Sequence, residues 1–185
     1  REANNENYIA RMFLKDLEDG FPKINHSDLV NVATGLLGEV ILHKKETEKI
    51  TGGDLGLLII RPQITYSFER LQIADYRRGL LAQAKLKRPN GKWNVFKPNQ
   101  KKILPQRLSY LALLLYQYSD TERRLLNPFL WQLCSNLSFK AVETCLKRGK
   151  FPQVLESRDI IHRLAGGLVG TDDNGIIDKY ISTAK

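Results

Sequence analysis

A carboxylate, an amide and an ammonium in the first half of the chain have the spacing to hold a divalent cation beside a phosphate. Asp54 follows Gly52 and Gly53 and heads the short apolar run Asp54 to Ile60, which reads as a buried strand. A second short run, Gly79 to Leu86, reads the same way. The two-residue period of a strand puts Leu81, Gln83 and Lys85 on one face of it, and Ala82, Ala84 and Leu86 on the other. An amide and an ammonium then point the same way from an apolar strand. Burying them costs free energy unless partners exist, and a metal ion, its water and a phosphate are such partners. Glu39, fifteen residues before Asp54, offers a further carboxylate.

The elements that must position these groups follow from the apolar spacing. Ile9, Met12, Phe13 and Leu17 predict a first helix. Ser27 or Asp28 can cap a second, longer helix running to about Lys49 and carrying Glu39. Residues 61–75 are mixed and read as a short strand or an excursion. Pro89 to Lys92 is a turn, and Trp93 to Phe96 is a third strand candidate. Pro105 is placed to open a strongly apolar helix ending near Ser119, where Ser119 and Glu122 fit a capping box for the next. Beyond it the pattern predicts helices over 120–126, 128–137, 138–148, 157–165 and 175–183, with Ser138 a start and Gly149 a stop. The expected class is α/β: a small mixed sheet flanked by helices over residues 1–119, with a helical extension over 120–185 packed on it.

Positive charge is concentrated. The 185 residues hold 29 Lys and Arg against 20 Asp and Glu, a net charge of +9. Between Asp75 and Asp120 there is no acidic residue, while Arg77, Arg78, Lys85, Lys87, Arg88, Lys92, Lys97, Lys101, Lys102 and Arg107 lie there. These ten charges exceed the whole surplus of +9, so the rest of the chain is near neutral. Clustered Lys and Arg are what phosphate neutralisation requires. Trp93 and Phe96 lie inside the window; rings at strand spacing are better read as packing residues than as base-stacking platforms. Gln106, in the first turn of the expected apolar helix, can hydrogen-bond a phosphate or simply sit there.

Other classes drop out. A 42% hydrophobic, 26% charged composition excludes collagen, coiled coil and wholesale disorder. The longest purely apolar run, Leu111 to Leu115, is too short for a membrane span, and Arg1 to Glu6 is no signal-peptide core. Without an initiator Met, the chain reads as trimmed or as part of a longer protein. Cys134 and Cys145 lie in apolar surroundings without His at zinc spacing, so they read as reduced core residues of a cytoplasmic protein. His26, His43 and His162 are scattered and read as structural. No nucleophile elbow or phosphate loop is present, and residues 170–175 lack the spacing of a calcium-binding hand.

A helical Glu, an Asp at a strand start and Gln-x-Lys on the next strand together resemble the PD-(D/E)XK nuclease superfamily. The acidic residue of the last motif is Gln here, as in Mrr-type restriction endonucleases and related antiviral effector nucleases. The resemblance covers residues 28 to 118 and implies a restriction-endonuclease-like sheet and a site made of Glu39, Asp54, Gln83 and Lys85. It implies Mg²⁺ (or Mn²⁺) held by Asp54, Gln83, the Ala84 carbonyl and Glu39, with Lys85 orienting the attacking water and offsetting charge on the phosphate. Lys87, Arg88, Lys92, Lys97 and Gln106 would hold the DNA backbone. Glu46 and Glu48 are the rival carboxylates. A second Gln-x-Lys, Gln100 with Lys102, lies in a polar run without a strand and serves as the internal control.

The expectation is a metal-dependent endonuclease hydrolysing DNA in restriction or anti-phage defence, with a sensor or specificity module elsewhere in the protein or complex. An oligomer is compatible with it; a membrane partner is not expected. Two other readings are a non-catalytic nucleic-acid-binding or scaffold domain that has lost metal binding, and an interaction protein whose helical second half docks on a partner.

Overall fold

The structure is a computed structural model that describes residues 37–67, 70–119, 124–125, 129–133, 137–152 and 154–182. The expected first helix and the start of the second lie outside these residues, as does Cys134. Six strands form a mixed sheet: β1 (Leu37–Leu42), β2 (Leu55–Ser67), β3 (Arg70–Lys87), β4 (Leu111–Ser119), β6 (Phe129–Gln132) and β7 (Val154–Glu156), in the order β1-β2-β3-β4-β6-β7. A short strand β5 (Arg124–Leu125) pairs with the end of β4. The β3–β4 pair is parallel, and the other neighbours are antiparallel.

Both strands expected around the Asp and the Gln-x-Lys are present and adjacent, with Leu55 opposite Ala82 and Leu57 opposite Leu80. They are longer than expected. Residues 61–67 and 70–76 continue the β2–β3 ladder beyond the β1 pairing, which stops at Ile60.

The second expected helix is corrected. Residues 37–42 are strand β1, and a short helix α1 (Lys45–Thr51) follows. Leu36, Leu37, Val40 and Ile41 fit a helical stripe, but in the sheet Leu37–Leu42 pairs with Leu55–Ile60 and Ile41 enters the core. The helix expected over 105–119 is also corrected. A helix α2 (Pro98–Ile103) and a 3₁₀ turn (Leu104–Tyr110) cross over to β4. Leu111 to Tyr116 are all buried because β4 lies inside the sheet with both faces covered. A run apolar on every side carries no period to separate strand from helix. Ser119 is the last residue of this strand, and the start of the helix expected after it lies outside the described residues.

The C-terminal part is only partly helical. Residues 124–125 and 129–132 are strands, and β6 and β7 extend the same sheet, so the sheet does not end at residue 119. Helix α3 (Phe139–Arg148) starts and stops as the sequence predicts. Ser138 Oγ accepts from Ala141 N–H at 3.2 Å, and Gly149 takes the left-handed conformation at φ 64°. Helix α4 (Ser157–Ala165) has the predicted span. A one-turn helix α5 (Asn174–Ile176) continues as a wider π turn to Ile181.

Strand parity divides the core between the two sheet faces. Leu55, Leu57, Leu80, Ala82, Ala84 and Leu114 pack on one face with Ile160 and Leu164 of α4. Leu58, Leu81, Leu113 and Leu115 pack on the other with Leu104, Val142, Leu146, Ile177 and Ile181. Gln83 and Lys85 have the parity of Leu81, so they belong to this second face. Trp93 and Phe96 are packing residues, as read: Trp93 is edge-on to Phe151 and Phe96 lies against Phe139. The expected third strand there is a single bridge between Lys87 and Trp93. Among the described residues no helix is long and apolar enough to cross a membrane.

Candidate functional site

The loop before β2 fixes Asp54. Helix α1 ends at Thr51, and Gly52 caps it in the left-handed conformation at φ 78°, which returns the chain toward the sheet. A side chain at Gly53 would come within 2.4 Å of Leu81 Cδ1, so a bare backbone is needed for this close approach. Asp54 is then pinned on both sides by its main chain. Its N–H donates to Ala82 O at 2.9 Å, and its carbonyl accepts from His43 N–H at 2.9 Å. The buried His43 ring lies behind the turn, with Nδ1 3.0 Å from Gly53 O and Nε2 3.1 Å from Ile181 O. It ties the Gly-Gly turn to the C-terminal segment and also lines the cleft described below.

Beyond the Leu55–Ala82 pair β3 continues past the end of β2, and the Asp54 side chain takes up its exposed edge. Asp54 Oδ2 accepts from the Ala84 backbone N–H at 2.6 Å and from Gln83 Nε2. Gln83 Nε2 also donates to Ala84 O at 3.1 Å. It is therefore the amide nitrogen of Gln83, not its oxygen, that faces Asp54.

Lys85 is only 3% exposed. Its Nζ donates to Gln100 Oε1 at 3.2 Å and to Val95 O at 3.5 Å, and lies 4.4 Å from the Phe96 ring centre. A buried ammonium costs several kcal/mol unless such partners compensate it. These groups line a cleft of about 650 Å³, with Glu48, Arg88, Asn94 and Lys97 around it.

Asp54, Gln83 and Lys85 thus share one cleft, as the sequence implied. Glu39 lies on strand β1 rather than on the expected helix, opposite Leu58, and four positions along β2 separate that pair from Asp54, about 13 Å at strand rise. Among the described residues, Glu48 of α1, one of the two rivals, lines the cleft with Asp54, while Glu46 is exposed on the same helix. Of the expected DNA contacts, Arg88 and Lys97 line the cleft. Lys92 is exposed at the following turn, and Lys87 is half-buried at the end of β3. Gln106 is exposed on the 3₁₀ turn.

The residue that sequence reasoning missed is Gln100, placed in the control copy of Gln-x-Lys. It is buried, and it joins the first copy: Nε2 donates to Gln83 Oε1 at 2.9 Å, while Oε1 accepts from Lys85. One signal was present. Lys97-Pro98-Asn99-Gln100 reads as a helix start with Pro at the first position and Gln at the third, where it reaches back to the Lys97 N–H at 3.0 Å.

No protein-family model, curated protein or solved structure matches this chain.

Proposed function

We propose that this chain is a metal-dependent endonuclease that hydrolyses DNA phosphodiester bonds, on a restriction-endonuclease-like variant of its mixed sheet. One observation carries the reading. A carboxylate at the head of β2 meets the Gln-x-Lys of β3, whose ammonium is buried, in a cleft with exposed Arg88 and Lys97 at its edge. Stability alone is poorly served by a buried Lys among apolar strands.

The donor set fits Mg²⁺ (or Mn²⁺). Asp54, the Ala84 carbonyl and Glu48 are hard oxygen donors in one cleft. Among the described residues no group of three or more His, Cys, Asp and Glu could hold a metal. Few carboxylates leave coordination positions for water, which Mg²⁺ retains readily. When bound, the ion lowers the pKa of a coordinated water and offsets charge developing on the phosphate. Asp54 would hold it, kept in place by its two main-chain hydrogen bonds. Glu48 would hold one of its waters. Lys85, held by Gln100 and Val95, would face the reacting phosphate with a fixed positive charge. Arg88, oriented by its 2.6 Å hydrogen bond to Asn94, would grip the flanking backbone with Lys87, Lys92 and Lys97. A role in restriction or antiviral defence follows from the resemblance.

The test is incubation with supercoiled plasmid in Mg²⁺, with and without EDTA. Nicked or linear product in the metal alone is expected. No cleavage with Mg²⁺ or Mn²⁺, beside intact salt-sensitive binding, would instead leave a non-catalytic nucleic-acid-binding domain.

Binding itself has an expected signature. With about six phosphates neutralised, log affinity should fall against log salt with a slope of roughly −5 on duplex DNA. Replacing Lys87 and Arg88 by Gln should flatten that slope by about 2 and weaken different sequences alike, because phosphate contacts carry no base information. Fluorescence anisotropy across a salt series measures both. An unchanged slope would move the DNA path away from this rim.

A further inference from the structure

We infer that Gln100 is a positioning residue that latches the Gln83 amide in an orientation excluding a cation, so that the metal site fills only when this latch releases. The inference rests on the metal-dependent reading above. Gln100 Oε1 faces two groups that can only donate, the Lys97 backbone N–H at 3.0 Å and the Lys85 ammonium at 3.2 Å. Its oxygen must therefore point at them and its N–H₂ away. That N–H₂ donates to Gln83 Oε1 at 2.9 Å. Gln83 must then turn its own N–H₂ to the far side, where it meets Asp54 Oδ2 and, at 3.1 Å, Ala84 O. A carboxylate and a carbonyl only accept, so both ends of the chain of hydrogen bonds dictate the same orientation.

The consequence lies in what stands between Asp54 and Ala84. Both oxygens suit a hard cation, and the group answering them is an N–H₂ carrying partial positive charge. An arriving divalent ion meets that nitrogen instead of a third oxygen. Turning the Gln83 amide by half a rotation would exchange the nitrogen for Oε1 and complete an oxygen set. Gln83 Nε2 would then confront Gln100 Nε2, donor against donor. Gln100 cannot turn in response, because its N–H₂ would face the Lys97 N–H and the Lys85 ammonium. Cation entry therefore breaks the Gln100–Gln83 hydrogen bond and leaves a buried donor unpaired. The neutral Gln of the motif is then more than a weaker ligand: it is held as a competitor of the metal by a residue seventeen positions away.

Calorimetric titration with Mn²⁺, without DNA, tests this on the parent chain, Gln100→Met and Gln100→Glu, each checked for folding by thermal melting. Gln100→Met keeps the volume and removes the donor, so it should bind Mn²⁺ about tenfold more tightly than the parent. Gln100→Glu should bind more tightly still, since its carboxylate accepts from Lys97 and Lys85 but has nothing to give Gln83 except an acceptor. It also carries the test if the Met variant fails to fold. Binding by a variant where the parent shows none is the same result at its limit. If the parent binds Mn²⁺ and the folded variants bind it equally or more weakly, the latch is overturned and the metal site stands. If neither parent nor variants bind, the latch and the metal-dependent reading fall together.

Discussion

Lys85→Met should reduce DNA cleavage by roughly a hundred- to a thousandfold, the usual cost of removing one charge-stabilising donor from a reacting centre, while leaving the stability of the protein nearly unchanged. The two halves of this expectation have one cause. The Lys85 ammonium is 3% exposed on the strand face it shares with Leu81 and Gln83. Methionine fills nearly the same volume without a charge to desolvate. Its removal does not strand Gln100 Oε1, which keeps the Lys97 N–H at 3.0 Å. The desolvation cost of the charge is removed together with its hydrogen bonds, so the net change in stability should stay within about 1 kcal/mol. DNA affinity should change little, since Lys85 lies within the cleft whereas Lys92 and Lys97 are exposed. Single-turnover cleavage, anisotropy and urea denaturation on the same preparation measure the three quantities. Parental cleavage by this variant would remove Lys85 from the chemistry, and a large loss of stability would make it a structural residue.

Gly56→Ala should destabilise the fold by about 3 kcal/mol, at the upper end for overpacking, because the obstruction is main chain. A Cβ at Gly56 would lie 2.2 Å from the Ile181 carbonyl oxygen and 3.0 Å from its carbonyl carbon, with no flexible side-chain tip to move aside. The π turn over 177–181 would have to leave β2, taking with it Ile177 and Ile181, both 0% exposed. The Ile181 carbonyl also faces His43 Nε2 at 3.1 Å, so the turn holding Asp54 loosens with it. In a domain of this size the melting temperature should drop by roughly 10 °C. Gly91→Ala is the control: nothing lies within 4 Å of its Cβ, and only its φ of 78° costs, about 1 kcal/mol. Equal effects at the two positions would contradict the packing of the C-terminal turn on the sheet.

What could be read from the sequence, and what could not, divides by the range of the forces involved. Gln83 and Lys85 were assigned a common face because strand parity is a local property, and Asp54 was placed by the two glycines before it. Ser138, Gly149 and the 157–165 helix were readable for the same reason, since caps and amphipathic spacing act within a few residues. Leu111 to Leu115 was not, because a strand buried on both faces has lost its period. The element around Glu39 is one where helical spacing and strand pairing compete, and the pairing with Leu55–Ile60 that decides between them is tertiary. Gln100 lies in a polar run without a strand of its own, so no strand pattern marks it. Its partners lie on β3, fifteen and seventeen residues back, and only the crossover to the parallel strand β4 brings them together. Glu48 could be singled out only once α1 was seen to end beside the cleft.

The most direct measurement of the central claim is plasmid cleavage by the parent and Asp54→Ala, purified in parallel and assayed over a Mg²⁺ series, with EDTA as the zero point. The account predicts a parental rate that rises and saturates with Mg²⁺ and vanishes in EDTA. For Asp54→Ala it predicts a rate at least a hundredfold lower at every concentration, because a cleft without that carboxylate cannot hold the ion that activates the water. Cleavage by Asp54→Ala at the parental rate, or parental cleavage that persists in EDTA, would contradict it.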